Sequence, residues 1–404
     1  MSTTTQLISV EEAQRIVLEH AKQLDAERVP IERAAGRVLA APAEALVDLP
    51  PFASSAMDGY ALRADDTESP PVRLPIVARI AAGSPADRPL STGEAMAIST
   101  GGAVPEGADA VVPLELVEER NDELELSEPV LPGANVRGRG GDVVTGDVLL
   151  EPGVRLGAAQ VAALAAAGVS EVQCAKRPRV GILVTGSELR QPGEPLGPGE
   201  IYESNGVLLA TALQLVGAVP AQLGVVADDP DEHERAMERA LLGFDMLVTS
   251  GGASVGPHDL VRATQAKLRV EEHFWGVAVK PGKPIAFGTR RDHLVFNLPG
   301  NPVSVLVTFE LFVRPAVNAL LGLVDPRPEL RSGVLASSIA RNPHRDEYVR
   351  AVERRDGEEV VVEPLPGRES HMIARAGRSN ALVAVPSGEG ELAAGDEVRY
   401  LPLS

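Results

Sequence analysis

The most informative segment of this chain is a short apolar run that breaks into glycines and hydroxyls and then reaches a carboxylate. Residues 246–259 have the sequence Met-Leu-Val-Thr-Ser-Gly-Gly-Ala-Ser-Val-Gly-Pro-His-Asp. A buried strand can end this way when its loop wraps an anion, because glycines permit positive φ while backbone amides and hydroxyls donate. Gly-Gly after a strand is also ordinary turn chemistry. The segment alone predicts a strand and loop, and leaves the anion site open.

Polar side chains follow all four apolar segments that we predict as strands of one sheet, at 180–185, 222–226, 246–250 and 294–298. Glu188 follows the first strand, and Asp228 and Asp229 follow the second. Asp259 follows the third, and the turn 299–302 follows the fourth. In open α/β sheets, ligands bind beyond the carboxyl ends of the strands. Carboxylates beside an anion site are typical of Mg²⁺, although the three aspartates could instead cap helices.

Two lysines, Lys280 and Lys283, lie on one tight turn, Lys-Pro-Gly-Lys-Pro. Ammonium groups this close repel each other unless an anion or a carboxylate lies between them. A solvated turn is the alternative. The chain carries a formal net charge of −19, from 57 acidic and 38 basic side chains, so an anionic ligand must be held by such local groups.

Composition narrows the function classes further. The acidic balance disfavours nonspecific binding to nucleic acid or to an anionic membrane. Aromatic residues make up 3% of the chain, which argues against base-stacking platforms. No apolar run is long enough for a membrane span, and the start lacks the pattern of a signal peptide, so we expect a cytoplasmic protein. A single cysteine and seven scattered histidines argue against structural zinc.

Hydrophobic patterns predict a multidomain α/β plus β fold. Ser9 and Glu12 form a capping box that starts a helix, and residues 31–40 suggest a second one. Ser204 and Asn205 are predicted to cap a helix that ends near Gly217. The predicted domains are a helical and extended region (1–50 with 143–177), an inserted β lobe (51–142), a three-layer α/β module with a mostly parallel sheet (178–326) and a small C-terminal β domain (327–404).

Pro302 should start a long helix of the module, and Pro315 should kink it. Outside the module, Asp58-Gly59 and Thr100-Gly-Gly resemble ordinary turns. Residues 135–142 form a basic, glycine-rich loop that ends in Asp142. These segments alone specify no reaction.

Taken together, six motifs resemble the MoeA family of molybdopterin molybdenumtransferases, in the same order and over nearly the whole chain. They are Met-Asp-Gly-Tyr-Ala (57–61), Thr-Gly-Gly (100–102) with Gly-Ala-Asp-Ala-Val-Val (107–112), Val-Thr-Gly-Ser-Glu-Leu (184–189), Ser-Gly-Gly-Ala-Ser-Val-Gly (250–256) with Asp259, Lys-Pro-Gly-Lys-Pro (280–284) and Leu-Pro-Gly-Asn-Pro-Val-Ser (298–304). The resemblance implies an enzyme that inserts molybdate into adenylylated molybdopterin and releases the molybdenum cofactor and AMP. A divalent cation would assist, and we expect Mg²⁺.

The resemblance also implies site residues. The active-cleft residues would be Asp58, Thr100, Asp142, Glu188, Asp228 and Asp259. Of these, we assign Glu188, Asp228 and Asp259 to Mg²⁺. Ligand-binding residues would be Thr185, Gly186, Ser250, Gly251, Gly252, Ser254, Gly256, Lys280, Lys283, Pro299, Asn301, Pro302, Ser304, Arg350 and Ser370. Lys280, Lys283, Arg350 and Ser370 would surround molybdate, with Ser250 and Ser304 as nearby hydroxyl donors. Many relatives have an acid where Ser187 stands, so a second carboxylate beside Glu188 is missing.

Relatives of this kind imply a homodimer with two clefts, in which the β lobe of one subunit faces the module of the other. The pterin could be transferred directly from the upstream adenylyltransferase. One alternative is that adenylyltransferase itself, although it would leave about the first 175 residues and the final 80 unexplained. The other is a non-enzymatic scaffold related to gephyrin, whose scaffolding depends on additional regions.

Overall fold

The N-terminal region forms one helix and several short strands. The computed structural model describes residues 7–226, 229–251 and 260–403. Helix α1 (Val10–His20) starts as predicted, since the Ser9 hydroxyl accepts a hydrogen bond from the Glu12 amide at 3.1 Å. The helix predicted over 31–40 is wrong: only Ile31–Arg33 forms a 3₁₀ turn. Val38 and Leu39 instead form bridges to Arg155 and Cys174, so tertiary pairing overrides local helix propensity there.

Chain segments on both sides of the β lobe pair with each other. The elements are β1 (Ala26–Pro30), β2 (Ala43–Glu44), and, further along the chain, β11 (Val148–Leu150), α2 (Ala158–Ala166) and β12 (Glu171–Ala175). Strand β1 pairs with β12, and β2 pairs with β11, all antiparallel. A small apolar cluster that includes Leu39, Leu156 and Leu164 lies between them.

The segment between these strands is a β lobe. Its strands are β3 (Ser54–Ser55), β4 (Gly59–Leu62), β5 (Val72–Ile80), β6 (Ala95–Ile98), β7 (Ala110–Pro113), β8 (Val117–Arg120), β9 (Glu123–Leu126) and β10 (Val136–Arg137). Six of them form one sheet in the order β7-β4-β6-β5-β9-β8, and β3 pairs with β10. A short 3₁₀ turn at Ala64–Thr67 lies between β4 and β5, and another at Leu114–Leu116 lies between β7 and β8.

The α/β module contains the largest apolar core. Its elements are β13 (Arg179–Thr185), β14 (Leu189–Arg190), β15 (Ile201–Tyr202), α3 (Asn205–Val216), β16 (Val219–Val226), α4 (Pro230–Gly243), β17 (Met246–Ser250), α5 (Leu260–Lys267), β18 (Glu271–Trp275), β19 (Val279–Lys280), β20 (Ala286–Arg290), β21 (His293–Leu298), α6 (Pro302–Thr308) and α7 (Arg314–Leu320). The main sheet has the order β16-β13-β17-β21-β20-β18. Its first four strands pair in parallel, whereas β20 pairs antiparallel with both β21 and β18.

Neighbouring residues on the module strands pack into different apolar clusters. On β17, Met246 and Val248 join the cluster that contains α1, α3, α6 and α7, whereas Leu247 joins the cluster that contains α4 and α5. This alternation follows from the strand geometry, because successive side chains point to opposite faces of a sheet. The apolar, unbroken sequences of β13, β17 and β21 are explained by burial on both faces, whereas the edge strand β16 is largely exposed.

The long helix begins at Pro302 as predicted and changes its form before Pro315. Residues Phe309–Val313 form a π-helical segment between α6 and α7. Proline lacks the amide that an α-helix needs at this position, and a local change of hydrogen-bond pattern accommodates it. The helix 302–320 is long and apolar enough to cross a membrane by composition alone, but 78% of its apolar window is buried within the protein. Its composition is therefore that of a core helix.

The C-terminal region is a β domain. Its elements are β22 (Arg331–Leu335), β23 (Ile339–Ala340), β24 (Asp346–Asp356), β25 (Glu359–Pro364), α8 (Ile373–Ala376), β26 (Ala381–Val385), β27 (Glu391–Leu392) and β28 (Glu397–Pro402). Strands β24, β25, β22, β28 and β26 form a closed ring, because β26 also pairs with β24. Strand β19 of the module joins this sheet beside β24, with Lys280 opposite Glu347. The lysine turn is thereby fixed against the C-terminal domain.

Candidate active site

Three parallel strands end at the same edge of the module sheet. Ser250 at the end of β17 is in register with Val184 of β13 and Leu298 of β21. Gly251 then turns with a φ of +93°, and a methyl group on it would lie 2.3 Å from the carbonyl oxygen of Thr185. Only glycine fits this close approach at positive φ. The predicted glycine-rich loop thus starts in close contact with the end of the neighbouring strand.

Ser250 ties the strand end to two other elements. Its hydroxyl donates to the carbonyl of Pro299 at 3.1 Å and accepts from the Asn205 amide at 3.0 Å. The same amide nitrogen also donates to the carbonyl of Gly300 at 2.7 Å. Because a hydroxyl has a single proton to donate, the Ser250 side chain positions β17, α3 and the 299–302 turn. Its predicted role as a donor to a ligand would require this bond to Pro299 to break.

A buried amide network supports this edge from beneath. Thr249 and Gln265 both donate to the Asn297 side-chain oxygen, at 2.8 and 2.5 Å. Asn297 in turn donates to Gln265 at 2.8 Å. All three residues are buried. Their hydrogen bonds to one another hold the ends of the strands rigidly in place.

Two buried polar atoms at this edge have no hydrogen-bond partner within the described part of the chain: the Thr185 hydroxyl oxygen and the Asn205 side-chain carbonyl oxygen. Leaving such a group unsatisfied costs about 1–3 kcal/mol. Both atoms are therefore suited to meet a ligand or a water molecule. Thr185 was predicted from the sequence. The sequence pattern predicts Asn205 only as a helix cap, and the signal that could have placed it at this edge is its position at the start of α3, three residues after the end of a short strand.

A buried acid, Glu203, caps α3. Its carboxylate accepts from the Gly206 amide at 2.6 Å, and Glu203 itself is only 3% exposed. Ser204 occupies the cap position without a side-chain cap bond, so the predicted capping by Ser204 and Asn205 is wrong. A carboxylate at a helix N-terminus is stabilised by the unpaired amides and the helix dipole.

The predicted metal ligands are only partly described. The Glu188 carboxylate is exposed and folds back over the end of β13, within 2.8–2.9 Å of where a Gly186 Cβ would lie. Gly186, with a φ of +153°, provides room for that carboxylate. Asp228, Asp259, Gly252, Ser254 and Gly256 lie outside the described residues. Among the residues that are described, no three His, Cys, Asp or Glu side chains form a group that could hold a metal.

Asp229 has a structural role. Its carboxylate accepts from the amides of Asp231 and Glu232 at 3.0 and 2.9 Å, and so caps α4. The capping alternative therefore holds for this aspartate.

Lys280 faces a buried acid that the sequence analysis missed. Its ammonium lies 3.3 Å from one oxygen of Glu347, and Arg368 lies 2.8 Å from the other oxygen. Glu347 is 3% exposed. Two neighbouring lysines repel each other unless an anion or a carboxylate lies close to them, and Glu347 is such a carboxylate. Arg368 also pairs with it. Arg368 is thus linked to the lysine turn through this acid.

Arg350 is buried beneath the Arg368 loop, and its guanidinium donates to main-chain carbonyls. The acceptors are the carbonyls of Gly367, Met372 and Glu369. Burial lowers the pKa of Arg350, and nearby Arg375 lowers it further while Glu369 opposes this. The carbonyl of Ser370, on the same loop, accepts from the Val303 amide at 3.0 Å. Arg350 therefore shapes the loop that carries Ser370 to the start of α6.

The lysine turn also packs against α6. A methyl group on Gly282 would lie 2.6 Å from the Thr308 side chain. Ser304 is buried on the same helix, and Lys283 is half-buried. Four neighbouring segments thus contribute the predicted residues: the turn with Lys280 and Lys283, α6 with Ser304, β24 with Arg350, and the C-terminal loop with Ser370.

The remaining predicted residues lie on the β-lobe side. The Asp58 carboxylate accepts from the Thr100 amide at 2.7 Å and from its hydroxyl at 3.1 Å, so these two motifs do meet. Asp142 is exposed on a loop whose amide 142 donates to Leu49. Thr145 and Arg139 bind Asp48 beside it and lower the pKa of Asp48 to about 2. Within the described residues, no hydrogen bond or ion pair joins Asp58, Thr100 or Asp142 to the module strand ends.

Comparison with known proteins identifies the family. Three family models match: the MoeA N-terminal region (domain I and II) at residues 8–168, a probable molybdopterin binding domain at 181–319, and the MoeA C-terminal region (domain IV) at 332–403. Molybdopterin molybdenumtransferase 2 of Mycobacterium tuberculosis (strain H37Rv) is 36% identical over 98% of this chain and 100% of its own length. The chain belongs to the MoeA family.

Other relatives extend the match. Molybdopterin molybdenumtransferase of Bacillus subtilis is 34% identical and covers 98% of this chain and 94% of its own. The crystal structure of a molybdopterin biosynthesis MoeA protein from Pyrococcus horikoshii OT3 superposes with a TM-score of 0.85, at 30% identity, over 98% of this chain and all of that one. The predicted family is therefore confirmed, as is the multidomain MoeA fold with mixed sheets, helices and a C-terminal β domain. The adenylyltransferase and scaffold alternatives are not favoured.

Proposed function

We propose that this MoeA-family enzyme transfers molybdate to adenylylated molybdopterin and releases the molybdenum cofactor and AMP with the help of a divalent cation. The observation that carries this proposal is the match of all three MoeA regions along the chain. The α/β module alone would suit the earlier adenylylating step equally well. The flanking regions favour molybdenum insertion instead. They include the Asp58–Thr100 pair and the C-terminal loop.

We use the name strand-end cleft for the edge of the module sheet where β13, β17 and β21 end, at Thr185, Gly251 and the 299–302 turn. This cleft is proposed to hold the adenylylated pterin. Gly251 lets backbone approach closely, and helices α3 and α6 both begin at this edge, so their N-terminal dipoles favour phosphate. The unpartnered oxygens of Thr185 and Asn205 are supporting observations. We assign Thr185, Gly186, Gly251, Gly252, Ser254 and Gly256 to this ligand, together with the Pro299, Asn301 and Pro302 turn. Ser250 and Asn205 hold these segments in place.

Glu188, Asp228 and Asp259 are proposed to hold Mg²⁺. The donor chemistry fits, since all three are carboxylates and hard cations prefer oxygen ligands. The folding of the Glu188 carboxylate over Gly186 supports its part in the set. When bound, the ion would neutralise phosphate charge as AMP leaves. The protein's own contribution is to hold the three carboxylates beside the glycine loop.

Molybdate is proposed to bind at the lysine turn. Lys280 and Lys283 supply positive charge, and Ser370 and Ser304 supply polar groups beside the start of α6. Arg350 contributes by fixing the 367–372 loop through its carbonyl bonds. Bringing the oxyanion close to the pterin sulfurs is the main catalytic device, because positioning converts a bimolecular step into a unimolecular one.

The active assembly is proposed to be a homodimer with two clefts. Asp58, Thr100 and Asp142 would face the module of the partner subunit, which agrees with their lack of bonds to the module strand ends within one described chain. This proposal also includes the three-layer form of the module. It includes the division of the chain into four domains, at 1–50 with 143–177, 51–142, 178–326 and 327–404. We also place the enzyme in the cytoplasm, where it would receive its pterin from the upstream adenylyltransferase.

The direct test is an assay with purified protein, adenylylated molybdopterin and Mg²⁺, with and without molybdate. AMP should appear only when molybdate is present. Asp259→Ala should abolish its release, whereas the matched change Asp229→Ala, which removes the α4 cap, should leave the rate within about twofold. If the parent protein leaves the substrate intact, or if Asp259→Ala is as active as the parent, the proposed function is wrong.

A further inference from the structure

A pocket of about 570 Å³ lies at the far end of α3 from the strand-end cleft. Five arginines line it, namely Arg33, Arg37, Arg155, Arg177 and Arg314, and none of the acidic residues that the structure describes does. This is unexpected in a chain whose acidic side chains outnumber the basic ones by 57 to 38. We call these five residues and the space between them the arginine pocket.

Three of the five arginines have no carboxylate partner within the described residues: Arg33, Arg155 and Arg177. Arg37 pairs with Glu27 and Arg314 pairs with Glu310, so those two charges are balanced. The pocket therefore carries about three uncompensated positive charges. Mutual repulsion of this kind is relieved when an anion binds between the groups.

The guanidinium groups are held in place yet keep donors free. Arg155 uses one nitrogen on the Gly36 carbonyl at 3.1 Å. Arg177 donates to the carbonyls of Gly217 and Ala218 at 2.8 and 3.0 Å. The buried Nε of Arg37 has no partner in the described structure. Fixed arginines with spare donors suit the bidentate recognition of phosphate oxygens.

Burial lowers the pKa of Arg155, and the charge of Arg314 lowers it further. The amide side chains of Gln214 and Asn318 complete the polar lining. The lining also joins residues that are distant along the chain, since Arg33, Arg155 and Arg177 precede the module and Gln214 and Arg314 belong to it.

We propose that the arginine pocket is a second anion site, which binds a small molecule through two linked phosphate groups. A diphosphate carries about three negative charges near neutral pH, which matches the three unpaired arginines. The volume exceeds the needs of a single phosphate and lies in the usual range for small-molecule sites. The site is separate from the cleft, because the 12 residues of α3 place Asn205 and Gly217 about 18 Å apart.

Calorimetric titration of the full chain with sodium pyrophosphate tests this proposal. Saturable binding is expected, with one site per chain that depends on the arginine pocket. Arg155→Gln should weaken binding about tenfold or more, through the loss of a charge-assisted hydrogen bond. Arg33→Gln, at an exposed position, should weaken it about threefold or more. Arg235→Gln, which removes an exposed arginine of α4, is the matched control and should bind like the parent.

A Lys280→Gln chain tests whether pyrophosphate binds at the lysine turn instead, and it should keep the pyrophosphate affinity of the parent. The proposal is overturned if the parent shows no saturable binding, or if Arg33→Gln and Arg155→Gln bind as tightly as Arg235→Gln. Binding that is lost only in Lys280→Gln would assign the ion to the lysine turn and would also overturn the proposal. Sedimentation of each variant completes the test: unchanged affinity with a changed subunit number would make the arginines a subunit contact instead.

Discussion

At the residue scale, Gly251 limits how the candidate cleft can be built. It stands at a φ of +93°, and any Cβ there would meet the Thr185 carbonyl at 2.3 Å. Gly251→Ala should therefore lower the free energy of unfolding by about 1–3 kcal/mol and abolish AMP release. Urea unfolding and the transferase assay measure the two effects.

The matched control for that change is Gly243→Ala at the end of α4. A methyl group at Gly243 meets no atom of the described residues within 4 Å, and its φ is not positive. This variant should be as stable as the parent or slightly more so, because alanine favours a helix. Equal stability of Gly251→Ala and Gly243→Ala would contradict the close approach of the loop to β13.

Glu347 gives a second prediction at this scale. Glu347→Gln leaves Lys280 and Arg368 without their shared acid, and should lower the free energy of unfolding by about 2 kcal/mol, since the carboxylate is buried while both cations are partly solvated. Molybdate should raise the melting temperature of Glu347→Gln more than that of the parent, because the oxyanion then becomes the charge partner of both cations.

An exposed ion pair serves as the comparison for Glu347. Glu363 lies 3.8 Å from Arg354, and both side chains are about half exposed. Glu363→Gln should leave stability and the response to molybdate unchanged. If molybdate shifts the melting temperature of all three proteins equally, Lys280 and Arg368 do not form the oxyanion site.

At the scale of elements, the contact between α1 and β18 should make stability depend on pH. The rings of His20 and His273 lie 3.9 Å apart. Burial lowers the pKa of His273 below its usual 6.5, the His20 charge lowers it further, and Glu271 opposes this. The unfolded chain therefore takes up this proton first as the pH falls, and stability is lost below about pH 6.5.

Urea midpoints measured between about pH 8 and pH 5.5 should decrease less in His273→Gln than in the parent. The difference between the two slopes isolates this residue from carboxylates that titrate in the same range. Parallel slopes would mean that His273 keeps an ordinary pKa.

Element types in the module could be predicted from the sequence because its strands are unbroken apolar runs and its helices carry strong boundary signals, such as Gly217 after α3 and Pro302 at the start of α6. Residues 31–40 could not, since long-range pairing of Val38 and Leu39 decides their conformation. The same limit applies to the site. Asn205 and Glu347 act through partners far away in the sequence, and local patterns do not reveal such contacts.

At the scale of the whole molecule, the shared-cleft proposal predicts complementation between subunits. Asp58→Ala and Glu188→Ala chains should each be inactive alone. After mixing and subunit exchange, activity should return to about one quarter of the parent value, because about half of the dimers pair unlike chains and each of these keeps one intact cleft. Absence of any recovery, with exchange verified by mass, would place both residues in a cleft of one chain.

The three MoeA regions along the chain are the basis for proposing molybdenum insertion. A single-turnover reaction tests this proposal when AMP released and molybdenum retained on the pterin are counted together as the molybdate concentration is raised. Both should rise in parallel, with one AMP for each molybdenum, and neither should appear without molybdate. AMP release that is independent of molybdate, or molybdenum binding without AMP release, would contradict it.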